Sequence, residues 1–477
     1  MKKMLAEIIP EKLLDRVLNR FDLFALYFAL IFGSYGAAQM TADGWAGIPM
    51  LLIAAVTFLL PTALASYELG TLFPGEGGIY IWAHKSLGPI HGFIAGWLSW
   101  VPIFLLLPLG VSVIVGHIEF IIGTEFSLAI KIALQAILII VITFASILKL
   151  KLSQKYINIM FFVAFLTAVI VFVCGFLKET SATPMDVNKN SFNVFKHGAM
   201  YSAAILWLLG VEVPFNMGAE IKDTKRNSKF MLLWGSVALI LAYTFGIYGV
   251  LKILPVGEID AVVGISAAVS SINHGLGILV AFMICFAVVS QDIAYMNSYS
   301  RLLFISGIER RLPKIMSHLT SGQVPLPAMI VQCVVAIFII IILSTNQNLA
   351  IAFQIYLAAL VVVWVVSLYY LYTAIFIVRK KYKSLYENPN VWKIPGGKIG
   401  KWLVIVFGLF FNSVAIYYVF AAPWSEDLSV SEWRWWLTAI SLVFIVLGAL
   451  IYLSSLKRVR NLDVQKEIEK YEEMKEK

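Results

Sequence analysis

Residues 198–221 read GAMYSAAILWLLGVEVPFNMGAEI. A run of this length and apolarity suits a bilayer crossing, which takes about 20 residues of helix. Its middle nevertheless holds Gly210-Val211-Glu212-Val213-Pro214. Glycine weakens helix and Pro214 has no amide hydrogen to donate, so the spacing predicts an unwound joint inside the span. Backbone groups freed at membrane depth are tolerated only against protein or a water-filled cavity. Such a joint therefore points to a site. Nearer the N-terminus, the run 21–44 carries Gly33-Ser34-Tyr35-Gly36 at its own middle, the same kind of break.

The rest of the chain gives these two runs their setting. Of 477 residues, 60% are hydrophobic and 14% charged, where a soluble chain carries roughly 25% charged residues. Apolar stretches of spanning length recur at 21–44, 47–69, 92–116, 128–148, 157–177, 198–221, 231–253, 276–304, 327–345, 350–378, 402–421 and 435–456. The expected fold is an all-α integral membrane protein with 12 transmembrane helices, discontinuous at the first and sixth.

Charge tests the orientation independently, because it played no part in drawing the spans. With the N-terminus inside, 31 of the 37 Lys and Arg residues fall on the cytoplasmic side; the others are Lys131, Lys178, Lys189, Lys196, Lys252 and Arg434. The positive-inside rule then makes both termini cytoplasmic in a multi-pass protein of the cell membrane. The net charge of +9 follows from this topology, so no nucleic-acid partner is called for. Residues 1–20 are charged and amphipathic, so no removable leader is expected. The lysine- and glutamate-rich tail 457–477 reads as a solvated cytoplasmic segment.

The two breaks lie five spans apart, and an odd number of spans inverts the second set relative to the first, as in transporters built from inverted repeats. Half-helix N-terminal ends carry partial positive charge and free amides suited to a carboxylate, while exposed carbonyls at C-terminal ends suit an ammonium. A zwitterionic amino acid matches both. Small residues also serve close helix packing, and for one break alone that explanation is sufficient; the matched pair favours a site. Its expected substrate-binding residues are Gly33, Ser34, Tyr35, Gly36, Leu209, Gly210, Val211 and, from the tenth span, Tyr356.

The motifs around these breaks form an ordered series. Glu68-Leu69-Gly70 leads to Phe73-Pro74-Gly75-Glu76-Gly77-Gly78-Ile79-Tyr80 with Trp82 after the second span. Leu209-Gly210-Val211-Glu212 is followed by Glu220; Ser300-Arg301 ends the eighth span; and Ile394-Pro395-Gly396-Gly397-Lys398 precedes the eleventh. At these residues the chain resembles the amino acid/polyamine/organocation (APC) transporter superfamily, most of all its bacterial glutamate/GABA antiporter branch. The resemblance implies a LeuT-like five-plus-five inverted repeat, with repeats at 21–177 and 198–378, further helices at 402–456, and alternating access to a central site. The chain departs from that pattern at Tyr35, where relatives commonly have glycine, and at Leu206, where some carry a gate aromatic. Trp207 stands one place later as the candidate gate. The fifth-span coupling lysine of some proton-linked relatives is absent from 157–177.

Intramembrane acids are functional candidates because burying a carboxylate is costly. Glu212, beside the sixth-span break, is a candidate for trading a proton with substrate movement, or for accepting the freed amides of that break. Gln291 and Asp292 are adjacent and must face different ways, so one of them lines the path or both serve packing. Glu68 and Glu220 lie near the cytoplasmic ends of their helices, either paired with Arg301, Lys222 or Arg226 on an inner gate or as solvated edge charges. Tyr35 and Tyr356 either close over a solute or tie neighbouring helices.

The six histidines fall in loops or at span ends without metal-ligand spacing, and Cys174, Cys285 and Cys333 lie in apolar runs. No cofactor, metal or catalytic residue is expected, and the sequence sets no oligomeric state. The expected function is secondary transport of amino acids, by exchange or proton coupling; polyamine or other organic-amine transport is the alternative, ahead of an intramembrane enzyme.

Overall fold

In the computed structural model the described residues are 3–344, 349–424, 428–460 and 467–469; most of the expected tail segment lies outside them. Among the described residues the chain is helical, with two isolated β-bridges and no strand. The principal helices are α1 (Leu5–Leu13), α2 (Arg20–Ile31), α3 (Ser34–Gln39), α4 (Gly44–Leu72), α5 (Gly78–Leu87), α6 (Pro89–Ile122), α7 (Leu128–Ile147), α8 (Leu150–Phe176), α9 (Gly198–Leu206), α10 (Thr224–Ile253), α11 (Gly264–Ile272), α12 (His274–Ile308), α13 (Leu326–Ser344), α14 (Leu349–Lys381), α15 (Gly397–Ala421) and α16 (Val430–Arg460).

Ten helices among the described residues are long and apolar enough to cross a membrane: α4, α6, α7, α8, α10 and α12 to α16. The two expected spans missing from this set are the interrupted ones. In the first, α2 and α3 are separate short helices; in the second, α9 ends at Leu206 and only 3₁₀ turns follow, at Val213–Asn216 and Gly218–Glu220. The first interruption falls at Phe32 and Gly33, with Ser34 to Gly36 already in α3, and the second begins after Leu206, ahead of the expected Gly210–Pro214 joint.

Capping explains where several helices begin. The Asn19 side chain accepts from the amides of Phe21 and Asp22, while Asp22 accepts from the Asn19 amide at 2.9 Å. Asn273 and Asp223 cap α12 and α10 in the same way. A π turn at Ala55–Leu59 precedes Pro61 in α4, relaxing the helix where an amide donor is missing.

Burial sorts the helices. The most apolar window of α6 is 94% buried, against 17% in α7 and α16. Helix α6 therefore runs through the interior, while α7 and α16 turn Phe144, Leu447 and Leu453 outward on a surface suited to lipid. Helix α2 packs against α8, α10 and α12, and α9 against α4 and α15, which brings both interrupted segments to the centre.

Candidate functional site

At the first break the backbone runs extended through Phe32 and Gly33, and side chains from two long helices meet the groups it frees. The Tyr243 hydroxyl of α10 donates to the Ile31 carbonyl at 2.7 Å and accepts from the Gly33 amide at 3.1 Å. The Gln291 amide of α12 donates to the Phe32 carbonyl at 3.2 Å. The same side chain accepts from the Tyr35 hydroxyl at 3.2 Å and donates to the Tyr295 hydroxyl at 3.2 Å. Carbonyls expected to meet a substrate ammonium are therefore held by Tyr243 and Gln291.

The second break touches the first. Gly210 has φ +110°, which L side chains rarely adopt, and its missing side chain faces Ile31 of α2. The Trp207 indole lies on Gly36, where a β-carbon would sit 2.6 Å from the ring, and meets Tyr35 edge-on with 5.1 Å between centroids. Gly33, Ser34, Tyr35, Gly36 and Trp207 thus form one cluster with Gln291. Leu209 and Val211 are buried beside it. Because 3₁₀ turns follow the second break, the half-helix dipole expected there for a carboxylate is absent.

Glu212 is fully buried, and its Oε1 accepts from the Trp364 indole of α14 at 2.8 Å. Asp292 is fully buried as well, against Gly110 of α6. Tyr356 stands apart: it is partly buried against the core, while Gln354 and Leu357 of the same helix line the adjoining cavity. Tyr243, Trp364 and Gly110 were not singled out in the sequence. A lone phenol or indole in an apolar span is a signal for Tyr243 and Trp364, since a buried O–H or N–H needs a partner; Gly110 carries no such signal.

A wide cavity descends to this cluster with Tyr35 at its foot. It is walled by α6, α9 and the stretch 256–263, with Asp43, Glu119, Glu125, Lys131 and Asp260 among its lining residues. The opposite end is closed by buried charge. Arg301 of α12 binds Glu220 through two hydrogen bonds, at 3.0 and 3.1 Å, with Glu76 at 3.6 Å. Glu68 accepts from Arg379 at 2.7 Å, from the Tyr386 hydroxyl at 2.9 Å and from the Ile394 amide at 2.8 Å. Glu68 and Glu220 are buried ties rather than solvated edge charges, and the partner of Glu68 is Arg379.

His84 of α5 lies at this closed end, in the connection between α4 and α6. Burial, with Arg311, Lys85 and Lys381 nearby, pushes its pKa down to about 4. Because that value lies below the ordinary one of about 6.5, its contribution to stability is complete above pH 6.5 and is lost as pH falls toward 4. The expected result is that His84→Gln reduces the drop in thermal midpoint of the purified protein between pH 7 and 4.5; an unchanged drop would place the acid sensitivity elsewhere.

A family model described as amino acid permease matches residues 18–452. The chain belongs to the amino acid permease family. The permease is 22% identical to a glutamate/gamma-aminobutyrate antiporter of Lactococcus lactis, covering 86% of this chain and 84% of the relative. It is 24% identical to a protein of that species described as a probable agmatine/putrescine antiporter, AguD, covering 91% and 94%. A D-serine/D-alanine/glycine transporter of Escherichia coli is 20% identical over 69% of this chain and 72% of its own. Family and relatives are transporters, which agrees with a multi-pass membrane protein built on the ten long helices.

Proposed function

We propose that the permease moves a small amine-bearing solute, of the amino acid class or the related organic amines, across the cytoplasmic membrane by alternating access. One observation carries this reading. Two interrupted segments meet at the foot of a cavity open to one side, while ion pairs bury the opposite side. In this reading the segments are the first and sixth of 12 spans in a LeuT-like inverted repeat, with 21–177 and 198–378 as its halves. Gly33 to Gly36 and Leu209 to Val211 contact the solute, Trp207 and Tyr35 gate it, and Glu212 is the coupling element. Glutamate, gamma-aminobutyrate, agmatine and putrescine, named for the relatives, all carry an amine.

The deciding measurement is radiolabelled uptake into liposomes with and without internal substrate. An exchanger accelerates with internal substrate, a proton-coupled carrier responds to an imposed pH gradient, and no uptake under either condition would sink the proposal.

The cavity then faces outward, and both termini lie inside. A cysteine replacing Asn190, which is exposed between α8 and α9, is expected to react with an impermeant thiol reagent on intact cells. One replacing Ser384, exposed after α14, is expected to react only after lysis. The reverse pattern would reject the orientation.

A further inference from the structure

Among the described residues, Asp292 is the buried carboxyl with neither oxygen hydrogen-bonded. It is fully enclosed, on the helical turn that also carries Gln291. Its oxygens occupy the space where Gly110 lacks a side chain: a β-carbon there would lie 2.3 and 2.4 Å from them. The hydroxyls of Tyr35 and Tyr295 both bond the side chain of Gln291, the residue before Asp292. Tyr35, Pro108 and Leu109 line the cavity, and Leu109 directly precedes Gly110 in α6.

An isolated carboxylate at membrane depth needs a countercharge or a proton. Protonation removes the charge but leaves a hydroxyl donor that also needs an acceptor, so the proton alone does not satisfy the group. A sodium ion needs several oxygen ligands, whereas the Ile31 and Phe32 carbonyls freed at the first break are engaged by Tyr243 and Gln291. An alkylammonium requires less: up to three donors for two oxygens, with aromatic rings beside its carbon chain. The cavity leading to it is acidic. Asp43, Glu119, Glu125 and Asp260 line it against Lys131, a balance that concentrates cations at the entrance even though Glu119 and Lys131 pair.

We propose that Asp292, seated on Gly110, is the counter-ion for a substrate ammonium, so that the permease takes organic amines of net positive charge in preference to zwitterions. This rests on the transport reading above and names its substrate class. Tyr35 is then the lid over the bound ammonium, released from Gln291 as the amine enters.

The test pairs two probes with one carbon skeleton, 1,4-diaminobutane and 4-aminobutanoate, on full-length permease in liposomes. Wild type is expected to take up the diamine at least about tenfold faster, and Asp292→Asn to lower diamine uptake by about 10- to 100-fold, the range for losing a hydrogen bond to a charged group. Gly110→Ala keeps the carboxylate but fills its slot and is expected to lower diamine uptake similarly. Should Asp292→Asn fail to fold, Gly110→Ala and thermal stabilisation of purified wild type by the diamine carry the test. Uptake of the zwitterion alone overturns the inference and leaves the transport reading standing. Diamine uptake that survives Asp292→Asn with only its pH or sodium dependence lost also overturns the inference. An inert wild type overturns both.

Discussion

Gly210→Leu is expected to bring uptake to background while folded protein is still recovered by size exclusion. Two effects combine. The backbone at φ +110° costs a β-carbon-bearing residue about 1–3 kcal/mol, and the side chain must enter the 3.3 Å gap to Ile31 of the other interrupted segment. Relaxing the strain means moving the joint at which the two interrupted segments touch. Gly88→Leu is the control, because Gly88 has φ +100° with open space around it, and so carries the strain without the obstruction. The expected outcome is near-normal uptake for Gly88→Leu and a milder loss for Gly210→Ala than for Gly210→Leu. Equal losses at positions 88 and 210 would mean that strain alone is responsible and that the joint is no site.

Arg301→Met is expected to open the closed end. Arg301 is 1% exposed and serves Glu220 and Glu76, which are 2% and 0% exposed. Its loss leaves carboxylates buried without their cation, a penalty of about 3–5 kcal/mol. These contacts join α12 to the segment after the second break, so the penalty falls on the arrangement in which that end is shut. At about 1.4 kcal/mol per tenfold, the shut population falls at least a hundredfold relative to the open one. The readout is a cysteine at Ser298, fully buried on α12 one turn before Arg301. It is expected to become reactive from the cytoplasmic face in the Arg301→Met background, and to be partly protected again when Glu220→Gln is added. Unaltered reactivity would show that the triad does not hold the gate.

The parts legible in advance are those governed by neighbours in sequence. Span length needs only a count of apolar residues, and the breaks at Gly33 and Gly210 need only the local weakness of glycine and proline. What stayed hidden depends on contacts between distant residues. Glu68 meets Arg379 and Ile394, more than 300 positions away, and nothing near it in sequence distinguishes a buried tie from an edge charge. Tyr243, Trp364 and Gly110 look like ordinary span residues until the helices bring them to Ile31, Glu212 and Asp292. The missing dipole after the second break has a similar origin, since 3₁₀ turns rather than α-helix carry residues 213–220.

The segment before α2 is stitched to the chain after the second break. Val17 and Leu18 donate amides to the Glu220 carbonyl at 2.9 and 3.0 Å, and the Lys222 amide donates to the Leu18 carbonyl at 2.9 Å. In kinematic terms, two levers pivoting independently at Gly33 and Gly210 would have two degrees of freedom; tied at their free ends they have one. A posture with one lever swung and the other at rest then requires these bonds to break. Under the alternating access proposed above, that posture is the one in which both faces of the membrane would communicate, and the tie would then serve as an interlock against a leak of solute or ions.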